Sequence, residues 1–484
     1  MRNRISRMRA AAAGGALAAL LAFTAGCATN PVTGQRQFSL VSADQELSIG
    51  KDGYQAMLGE YGVYDDARVA AYVDSVGKKL AAVSHLPNLE WHFTVLDDPV
   101  VNAFAMPGGY VYITRGILAH LNSEAQLAGV LGHEIGHVTA RHTAAQITKQ
   151  QLAGLGLGIA AALSGTFQKY SGAAQQALGL LFLKYSRDAE TQADELGVEY
   201  AAKAGYDPHE IPNTYVMLRR VGEQAGQRIP AFMSTHPDPG DREVRTEALA
   251  KTASAGKSGL QVRSRDYVRR MDGIVFGNDP RQGWFDGTRF TQPELGFEVT
   301  FPAGWATQNT RTAVTAGSTD PSGSMQLTLT EAKDRSALEF VQQLAASKQI
   351  AGFDGQRETI GGLNAWIGHI AVTQTDGTSA TLCAAWLRDD ARMFQLLGQD
   401  AAGDAPVFAA MRSFRKVTDP ARRVVTPARV KVVTVPKTGP FATVIAGLGA
   451  QQIEVDPESI LNNVLPDETV TMGTLLKTVP RVKR

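Results

Sequence analysis

The first half of the chain carries apolar residues mostly at helical spacing, interrupted by one short stretch of strand-like alternation. Ser42 can cap a helix in which Gln45 returns the bond, and a second helix is predicted over residues 65–83. Alternation over residues 91–96 and 103–114 predicts a strand followed by a second strand or hairpin. The pattern therefore indicates a mainly helical domain with a small sheet.

Two longer helices are predicted further along. One begins after Ser123, which Gln126 can complete as a capping box, and runs without proline to about residue 151. The other follows the apolar segment Leu152 to Leu183 and stops at Gly205. Each half of that apolar segment is too short to span a bilayer, so it is predicted to form a helical flap or to touch a membrane surface.

Strand-like alternation dominates after a Ser-, Gly- and Lys-rich stretch near residues 251–259. Apolar residues alternate at 297–301 and 325–329, a helix opens at Ser336, and strands flank a turn at 375–377. We therefore predict a multidomain α+β protein, in which a mainly helical domain precedes an α+β sandwich and a small terminal module. The predicted segments are a signal peptide (1–26), a tether (27–41), the helical domain (42–255), a linker (256–285), the sandwich (286–417) and the module (427–484).

Composition excludes several classes of protein. The formal net charge is only +1, which gives no reason to expect a nucleic-acid partner or a polyanionic substrate. Two cysteines exclude a disulfide scaffold, and no repeat of solenoid length is visible. A length of 484 residues suggests about three domains.

The candidate chemistry lies on the helix after Ser123. His133 and His137 are four residues apart, so both imidazoles project from one helical face, and Glu134 is beside them. This H-E-x-x-H pattern supplies two nitrogen ligands for zinc and a carboxylate that can take a proton from a metal-held water. Glu190 on the second helix could complete the ligand set, and Asp194, one turn later, could accept the second ring N–H of a ligand histidine.

Four ordered motifs, HEIGH, SRDAETQAD, NAFAMPGGYVYITRGIL and STHPDPGDR, resemble the zinc metallopeptidases that include HtpX, the CAAX-prenyl endopeptidases and the BepA-like periplasmic proteases. The resemblance covers about residues 40–250. It implies one zinc ion per chain and the following roles: His133, His137 and Glu190 as ligands, Glu134 as general base, Asp194 and Arg242 as supporting residues, and Asn102 beside the substrate strand.

His236 has two possible roles under this resemblance. It could stabilise the oxyanion of the tetrahedral intermediate, or it could bind zinc in a resting state and block the open position. Asn102 could bond a substrate carbonyl just before an edge strand that pairs with the peptide main chain, although turn asparagines are common.

The N-terminus resembles a bacterial lipoprotein signal. Four arginines precede a short apolar stretch that ends at Thr24-Ala25-Gly26-Cys27, where threonine replaces the usual leucine. The lipoprotein signal implies that Cys27 is the lipidated residue of a periplasmic protein, anchored to the outer membrane. A plain secretory signal or an uncleaved anchor is the alternative. The other cysteine, Cys383, is predicted to be a buried thiol, and His369 a structural histidine on a strand.

Two weaker resemblances concern the C-terminal half. The stretch Gly296 to Trp305, GFEVTFPAGW, looks like the PsbP-like folds. The module from about Pro427 resembles LysM modules, which bind peptidoglycan glycans, but Lys437-Thr438-Gly439-Pro440 departs from their usual turn.

The sequence thus predicts a zinc metalloendopeptidase of the cell envelope that cleaves misfolded or unassembled envelope polypeptides. Two alternatives remain open. One is a chaperone or assembly factor for outer-membrane proteins with restrained protease activity, and the other is a peptidoglycan-associated adaptor.

Overall fold

The computed structural model describes residues 27–157, 184–224, 232, 236, 239–319, 323–373 and 378–482. The chain divides into two compact units: residues 1–277 with 429–481 form the first, and residues 278–428 with 482–484 form the second. The predicted signal peptide lies outside the described residues, as do residues 158–183 of the apolar segment and the turn at 375–377. Among the described helices, none is both long enough and apolar enough to cross a membrane.

Helices make up most of the first unit, as the pattern predicts. Ser42 caps the first with the complete capping box that Gln45 closes, and Asp66 and Ser123 cap the starts of two others through their side chains. The described helices up to residue 270 are α1 (Ala43–Tyr61), α2 (Ala67–Ala81), α3 (Arg115–His120), α4 (Glu124–Thr139), α5 (His142–Leu157), α6 (Arg187–Lys203), α7 (Ile211–Gln224), α8 (Pro239–Ser254) and α9 (Ser264–Arg270).

The predicted single helix from Ser123 to residue 151 is two helices in the structure. The chain breaks between α4 and α5 at Arg141, which adopts a left-handed φ of 58°. The Arg141 guanidinium is held by Glu46 Oε2 at 2.8 Å and by the Val41 carbonyl at 3.1 Å. These contacts with the distant α1 region fix the break. No glycine or proline marks it in the sequence.

The small sheet is three-stranded. It follows a separate two-stranded ribbon of β1 (Cys27–Thr29) and β2 (Arg36–Phe38). The sheet has the strand order β3-β5-β4 and consists of β3 (His92–Leu96), β4 (Ala103–Met106) and β5 (Tyr110–Thr114). β4 and β5 form the predicted hairpin, and Gly108 and Gly109 both take positive φ at its turn. β4 lies at the sheet edge and packs against α4.

The second unit is a sandwich of two antiparallel sheets, which confirms the predicted fold class. Its strands are β6 (Trp284–Asp286), β7 (Arg289–Gln292), β8 (Phe297–Thr300), β9 (Ala306–Asn309), β10 (Ala313–Gly317), β11 (Gly323–Glu331), β12 (Gly352–Ile360), β13 (Leu363–Thr373), β14 (Ser379–Asp389), β15 (Arg392–Asp400) and β16 (Arg415–Lys416). The larger sheet has the order β12-β13-β14-β15-β11-β10-β9 and the smaller β16-β8-β7-β6.

Two helices complete the sandwich. The alternating pattern of each strand sends one set of side chains into the core between the sheets, where Phe297 and Phe394 meet. Helix α10 (Ala337–Ala346), with the predicted Ser336–Glu339 capping box, covers Trp366 and Trp386 on the other face of the larger sheet. Helix α11 (Ala405–Arg412) joins the core between the sheets through Val407 and Met411.

The terminal module belongs to the first unit. It contains β17 (Lys431–Thr434), β18 (Gly439–Pro440), α12 (Phe441–Gly447), α13 (Val455–Leu461), β19 (Thr469–Val470) and β20 (Leu475–Thr478). The side-chain amino group of Lys477, which is fully buried, donates to the carbonyls of Ala119 at 2.5 Å and Leu121 at 2.7 Å, at the end of α3. The segment predicted as a linker also differs, because it contains α9, whose Tyr267 is buried and donates to the Leu118 carbonyl.

We expect Asn462 to be a determinant of the module's stability. Its side chain donates to the Glu458 and Lys477 carbonyls and accepts from the Lys477 N–H. Asn462→Ala removes the bonds to the half-buried Lys477 N–H and carbonyl, while the Glu458 carbonyl keeps the backbone N–H of residue 462, and should lower the free energy of unfolding of the full chain by about 1–3 kcal/mol. Urea unfolding measures the change. The exposed Asn88→Ala is the control and should stay within about 0.5 kcal/mol; equal losses in both variants would contradict the assignment.

Candidate metal centre

Glycine residues bring α4 and α6 unusually close together. A Cβ on Gly132 would lie 3.0 Å from the Gly197 carbonyl oxygen, and a Cβ on Gly197 would lie 3.0 Å from the His133 backbone nitrogen. A Cβ on Gly136 would approach Leu196 at 3.1 Å. Larger residues would force the helices apart, so the glycines position the first turn of α6 against the histidine face of α4.

Four side chains converge where these helices meet. His133 Nε2 and His137 Nε2 are 3.0 Å apart, and Glu190 oxygens lie 3.6 Å and 3.5 Å from these two nitrogens. His236 Nδ1 lies 2.9 Å from Glu190 Oε1 and 3.3 Å from His133 Nε2. All four residues are buried, and their ligand atoms lie within 4.8 Å of one another. The structure thus brings together every metal ligand that the sequence analysis named, with His236 among them.

The carboxylate of Glu134 has no hydrogen-bond partner within the described part of the chain. Both carboxylate oxygens are buried without a hydrogen bond, and the residue is 1% exposed. His236 Nε2 lies 3.8 Å from Oε1. Burial raises the pKa of this carboxyl group, as expected of a general base in a water-poor site.

The donor set fits a zinc ion. Two imidazoles and a carboxylate are the protein ligands of one common type of catalytic zinc site, and a buried carboxylate without partners needs a cation or a water molecule beside it. Burial and the neighbouring histidines hold the pKa of His137 well below its usual value, so the imidazole is neutral and keeps a lone pair for a metal.

A buried network of charges lies behind His133. Asp194 Oδ1 is 3.1 Å from His133 Nδ1 and accepts from the Tyr215 hydroxyl at 2.7 Å. Arg242 on α8 donates to the same oxygen at 2.7 Å, and its Nη1 lies 3.0 Å from Glu190 Oε2. Burial by itself would raise the pKa of Asp194, but the Arg242 charge and the bond from His133 hold it well below its usual value.

The second ring nitrogen of His137 has a different partner. His137 Nδ1 lies 2.9 Å from His142 Nδ1, and His142 Nε2 lies 3.0 Å from Gln192 Oε1 on α6. Tyr185 stacks on the His137 ring with centroids 4.0 Å apart. No pattern in the sequence indicates His142, Tyr185 or Tyr215, because none stands at a helical spacing from the metal-binding pair.

Asn102 is not part of this cluster of ligands. It lies immediately before β4, where its backbone N–H donates to Thr114 Oγ1 and its carbonyl accepts from the Thr114 N–H. Its side-chain oxygen is buried and has no hydrogen-bond partner in the described part of the chain. The position at the entrance to an edge strand matches the sequence expectation, while the role stays a prediction.

Comparison with known proteins identifies the class. Residues 67–252 match the model of Peptidase family M48. Over 213 residues the chain is 35% identical to the mitochondrial metalloendopeptidase OMA1 of Schizosaccharomyces pombe, covering 43% of this chain and 61% of that protein. It is 28% identical over 233 residues to the beta-barrel assembly-enhancing protease of Escherichia coli K12, covering 46% and 47% of the two chains. These matches confirm the predicted metallopeptidase family for the segment of residues 67–252, and the two relatives are named as a metalloendopeptidase and a protease.

The chain spans about half to three fifths of the length of these curated relatives. Among solved structures, cyanobacterial PsbP from Synechocystis matches 27% of this chain and 94% of its own, at 12% identity and a TM-score of 0.22. That likeness is too slight to assign a fold to the second unit.

The charge network predicts a loss of stability in acid. Burial raises the pKa of Glu190, but His236 and Arg242 outweigh this and lower it to about 2, from an ordinary 4.5. The ionised carboxylate therefore stabilises the fold above pH 4.5, and this contribution is lost as the pH falls towards 2. In chelator-treated protein, Glu190→Gln should remove on the order of 3 kcal/mol of this pH dependence, measured by urea unfolding across the interval.

The matched control is Glu199→Gln. Glu199 is on the same helix, forms a partly exposed ion pair with Lys203 at 2.5 Å, and should leave the slope close to that of the wild type. A wild-type slope in the Glu190 variant would mean that the carboxylate is not stabilised in its charged form.

Proposed function

We propose that the chain is a zinc-dependent metalloendopeptidase of the bacterial cell envelope that cleaves misfolded or unassembled envelope proteins. The observation that carries the proposal is the buried convergence of His133, His137 and Glu190 beside Glu134, whose oxygens have no hydrogen-bond partner among the described residues. A purely structural metal site would need the ligands but not an additional buried carboxylate.

The proposed mechanism assigns one task to each side chain. His133, His137 and Glu190 hold the zinc ion, which when bound polarises the scissile carbonyl and lowers the pKa of a water molecule. Glu134 accepts the proton of the attacking water and then delivers it to the nitrogen of the leaving amine. Asp194 and His142 fix the ring orientations of the two histidines through the second ring nitrogens.

Arg242 has an electrostatic role in this proposal. Without it, two carboxylates would be buried within one small volume, which would raise the pKa of at least one of them and favour the protonated form. Its guanidinium binds Asp194 and approaches Glu190 Oε2 at 3.0 Å, so both acids remain ionised. An ionised Glu190 is the form that binds a metal.

We further propose that extended polypeptides bind along β4. In the described part of the chain this strand pairs with β5 on one side only, and it packs against the helix that carries the histidines. An extended peptide can add to such an edge through main-chain hydrogen bonds. The side-chain amide of Asn102, immediately before the strand, can donate a bond to a substrate carbonyl.

The cellular setting is inferred from the N-terminal sequence. The lipoprotein-like signal supports attachment through Cys27 to the periplasmic side of the outer membrane. One relative carries the name beta-barrel assembly-enhancing protease, which supports the choice of envelope proteins as clients. The second candidate is an assembly factor with restrained protease activity. The relative's name supports a role in assembly. The position of His236 among the metal ligands supports restrained activity.

The general base is tested by Glu134→Gln. We expect zinc content to stay at about one ion per metallopeptidase site, because the ligands remain, while casein cleavage is lost. Glu190→Ala is the matched comparison and should lose the zinc ion of the metallopeptidase site together with activity. Metal analysis and a peptidase assay, with and without chelator, measure both quantities. Substantial turnover by the Glu134 variant would refute the assigned role.

Substitution of His236 distinguishes its two possible roles, blocking the metal site at rest and donating to the oxyanion. Since His236 Nδ1 lies 3.3 Å from His133 Nε2 and 2.9 Å from Glu190 Oε1, we expect it to block the open coordination position. His236→Ala should then raise basal cleavage of a denatured reporter protein. His209→Ala, at a half-exposed histidine outside the metal centre, is the control. A loss of about 10²-fold would instead indicate an oxyanion donor and would exclude the blocking role.

A further inference from the structure

A second group of potential metal ligands lies in the second unit, on the sandwich. His369, Cys383 and Asp404 offer a ring nitrogen, a sulfur and a carboxylate oxygen that all lie within 4.8 Å of one another. From the sequence, His369 was expected to be an isolated structural residue and Cys383 a buried thiol. The thiol is indeed buried, but the histidine is not isolated, and no residue of the metallopeptidase domain takes part.

Strand register brings the first two residues together. β13 and β14 pair antiparallel so that His369 is directly opposite Cys383, and directly opposite residues project from the same face of a sheet. This face is the one whose Ile367 and Ala385 enter the core between the two sheets. The pair therefore lies at the margin of a rigid core, and no flexible loop is needed to form it.

The third residue comes from the start of α11. Aspartate in this position normally caps a helix with its side chain, yet Asp404 makes no such cap bond. Its Oδ2 instead lies 2.9 Å from His369 Nε2, and a carboxylate oxygen lies within 4.8 Å of the Cys383 sulfur. The carboxylate is thus directed at both neighbours at the expense of its usual local partner.

The three residues differ in their access to water. Cys383 is 1% exposed, whereas the side chains of His369 and Asp404 are 39% and 52% exposed. Phe408 meets the His369 ring edge-on, with centroids 5.2 Å apart, and restricts its rotation. The group has a buried sulfur at its base and an opening to solvent through which an ion can enter.

A catalytic thiol would need a different environment. Nucleophilic cysteines are partly exposed and lie near positive groups that favour the thiolate. Here burial and the Asp404 charge raise the pKa of the Cys383 thiol to about 12, so the sulfur is protonated near neutral pH unless a cation replaces the proton. The negative charge of the carboxylate beside the sulfur disfavours the thiolate that a nucleophile needs. The same negative charge favours binding of a metal cation.

We propose that His369, Cys383 and Asp404 form a second transition-metal site, selective for a borderline divalent ion such as Zn²⁺. Thiolate, imidazole and carboxylate together match the ligand preference of zinc, and do not suit Mg²⁺ or Ca²⁺, which take oxygen ligands. Binding exchanges the thiol proton for the ion and releases that proton to solvent. Thiolate and carboxylate then balance the two positive charges, and the fourth position faces water.

Metal content and cobalt spectra test the proposal on the full-length, detergent-solubilised chain. We expect about two zinc ions per chain in the wild type and about one in Cys383→Ser. A His133→Ala/His137→Ala protein should also retain about one. Cobalt loaded into that double variant should show sulfur-to-metal charge-transfer absorption, which Cys383→Ser abolishes. The metallopeptidase ligands contain no sulfur, so this absorption reports the second site alone.

Two further variants keep the test independent of folding of the core. Asp404→Asn changes an exposed residue and should weaken cobalt binding at least tenfold without changing thermal stability in chelator. His209→Asn removes a half-exposed histidine that lies 3.6 Å from Glu247 and should leave binding unchanged. A wild-type chain with one zinc ion and no sulfur-derived absorption would overturn the proposal. So would unchanged cobalt affinity in Asp404→Asn.

Discussion

The close approach of α4 and α6 is the constraint on which the metallopeptidase site depends. His133 and His137 are placed by the helix itself, but the third ligand arrives from a helix more than fifty residues later. Only where Gly132, Gly136 and Gly197 remove the side chains between the backbones can Glu190 reach the histidine nitrogens. A Cβ at any of these positions would lie 3.0–3.1 Å from the partner helix, which is tighter than nine in ten real Cβ contacts, so the neighbouring helix would have to move away.

Such a site is costly to bury, and the surrounding charges explain how the fold tolerates it. Two carboxylates of α6, Glu190 and Asp194, are almost fully buried next to imidazoles. Arg242, itself 1% exposed, lies between them and stacks near the ring of Tyr215. A buried ion pair gives little net stability, but removing one partner leaves an uncompensated charge that costs about 3–5 kcal/mol. Arg242 is therefore needed to compensate the buried charges of Glu190 and Asp194, in addition to contacting them.

The parts of the chain outside the M48 segment have distinct relations to it. The terminal module completes the first unit, since the buried amino group of Lys477 donates to two carbonyls at the end of α3, directly before the helix that carries the histidines. The second unit is a separate sandwich with its own core and with a ligand cluster of different chemistry. The two clusters share no element, and one contains sulfur whereas the other does not.

The sequence by itself determined what depends on local periodicity. The helical spacing of His133 and His137, the spacing of Glu190 and Asp194, the capping boxes at Ser42 and Ser336 and the alternation of the sandwich strands all act over a few residues. Such patterns are readable without a fold. Resemblance to a family supplied His236 and Arg242, which no local pattern distinguishes.

The tertiary structure decided everything that joins distant segments. Contacts between residues far apart in the chain, or in separate helices, determine three features. These are the break at Arg141, the pairing of His142 with His137, and the inclusion of the terminal module in the first unit. The meeting of His369, Cys383 and Asp404 likewise requires a strand register and the start of a helix. A sequence carries no local trace of these contacts, because the free energy that selects them comes from burial and charge pairing in the folded chain.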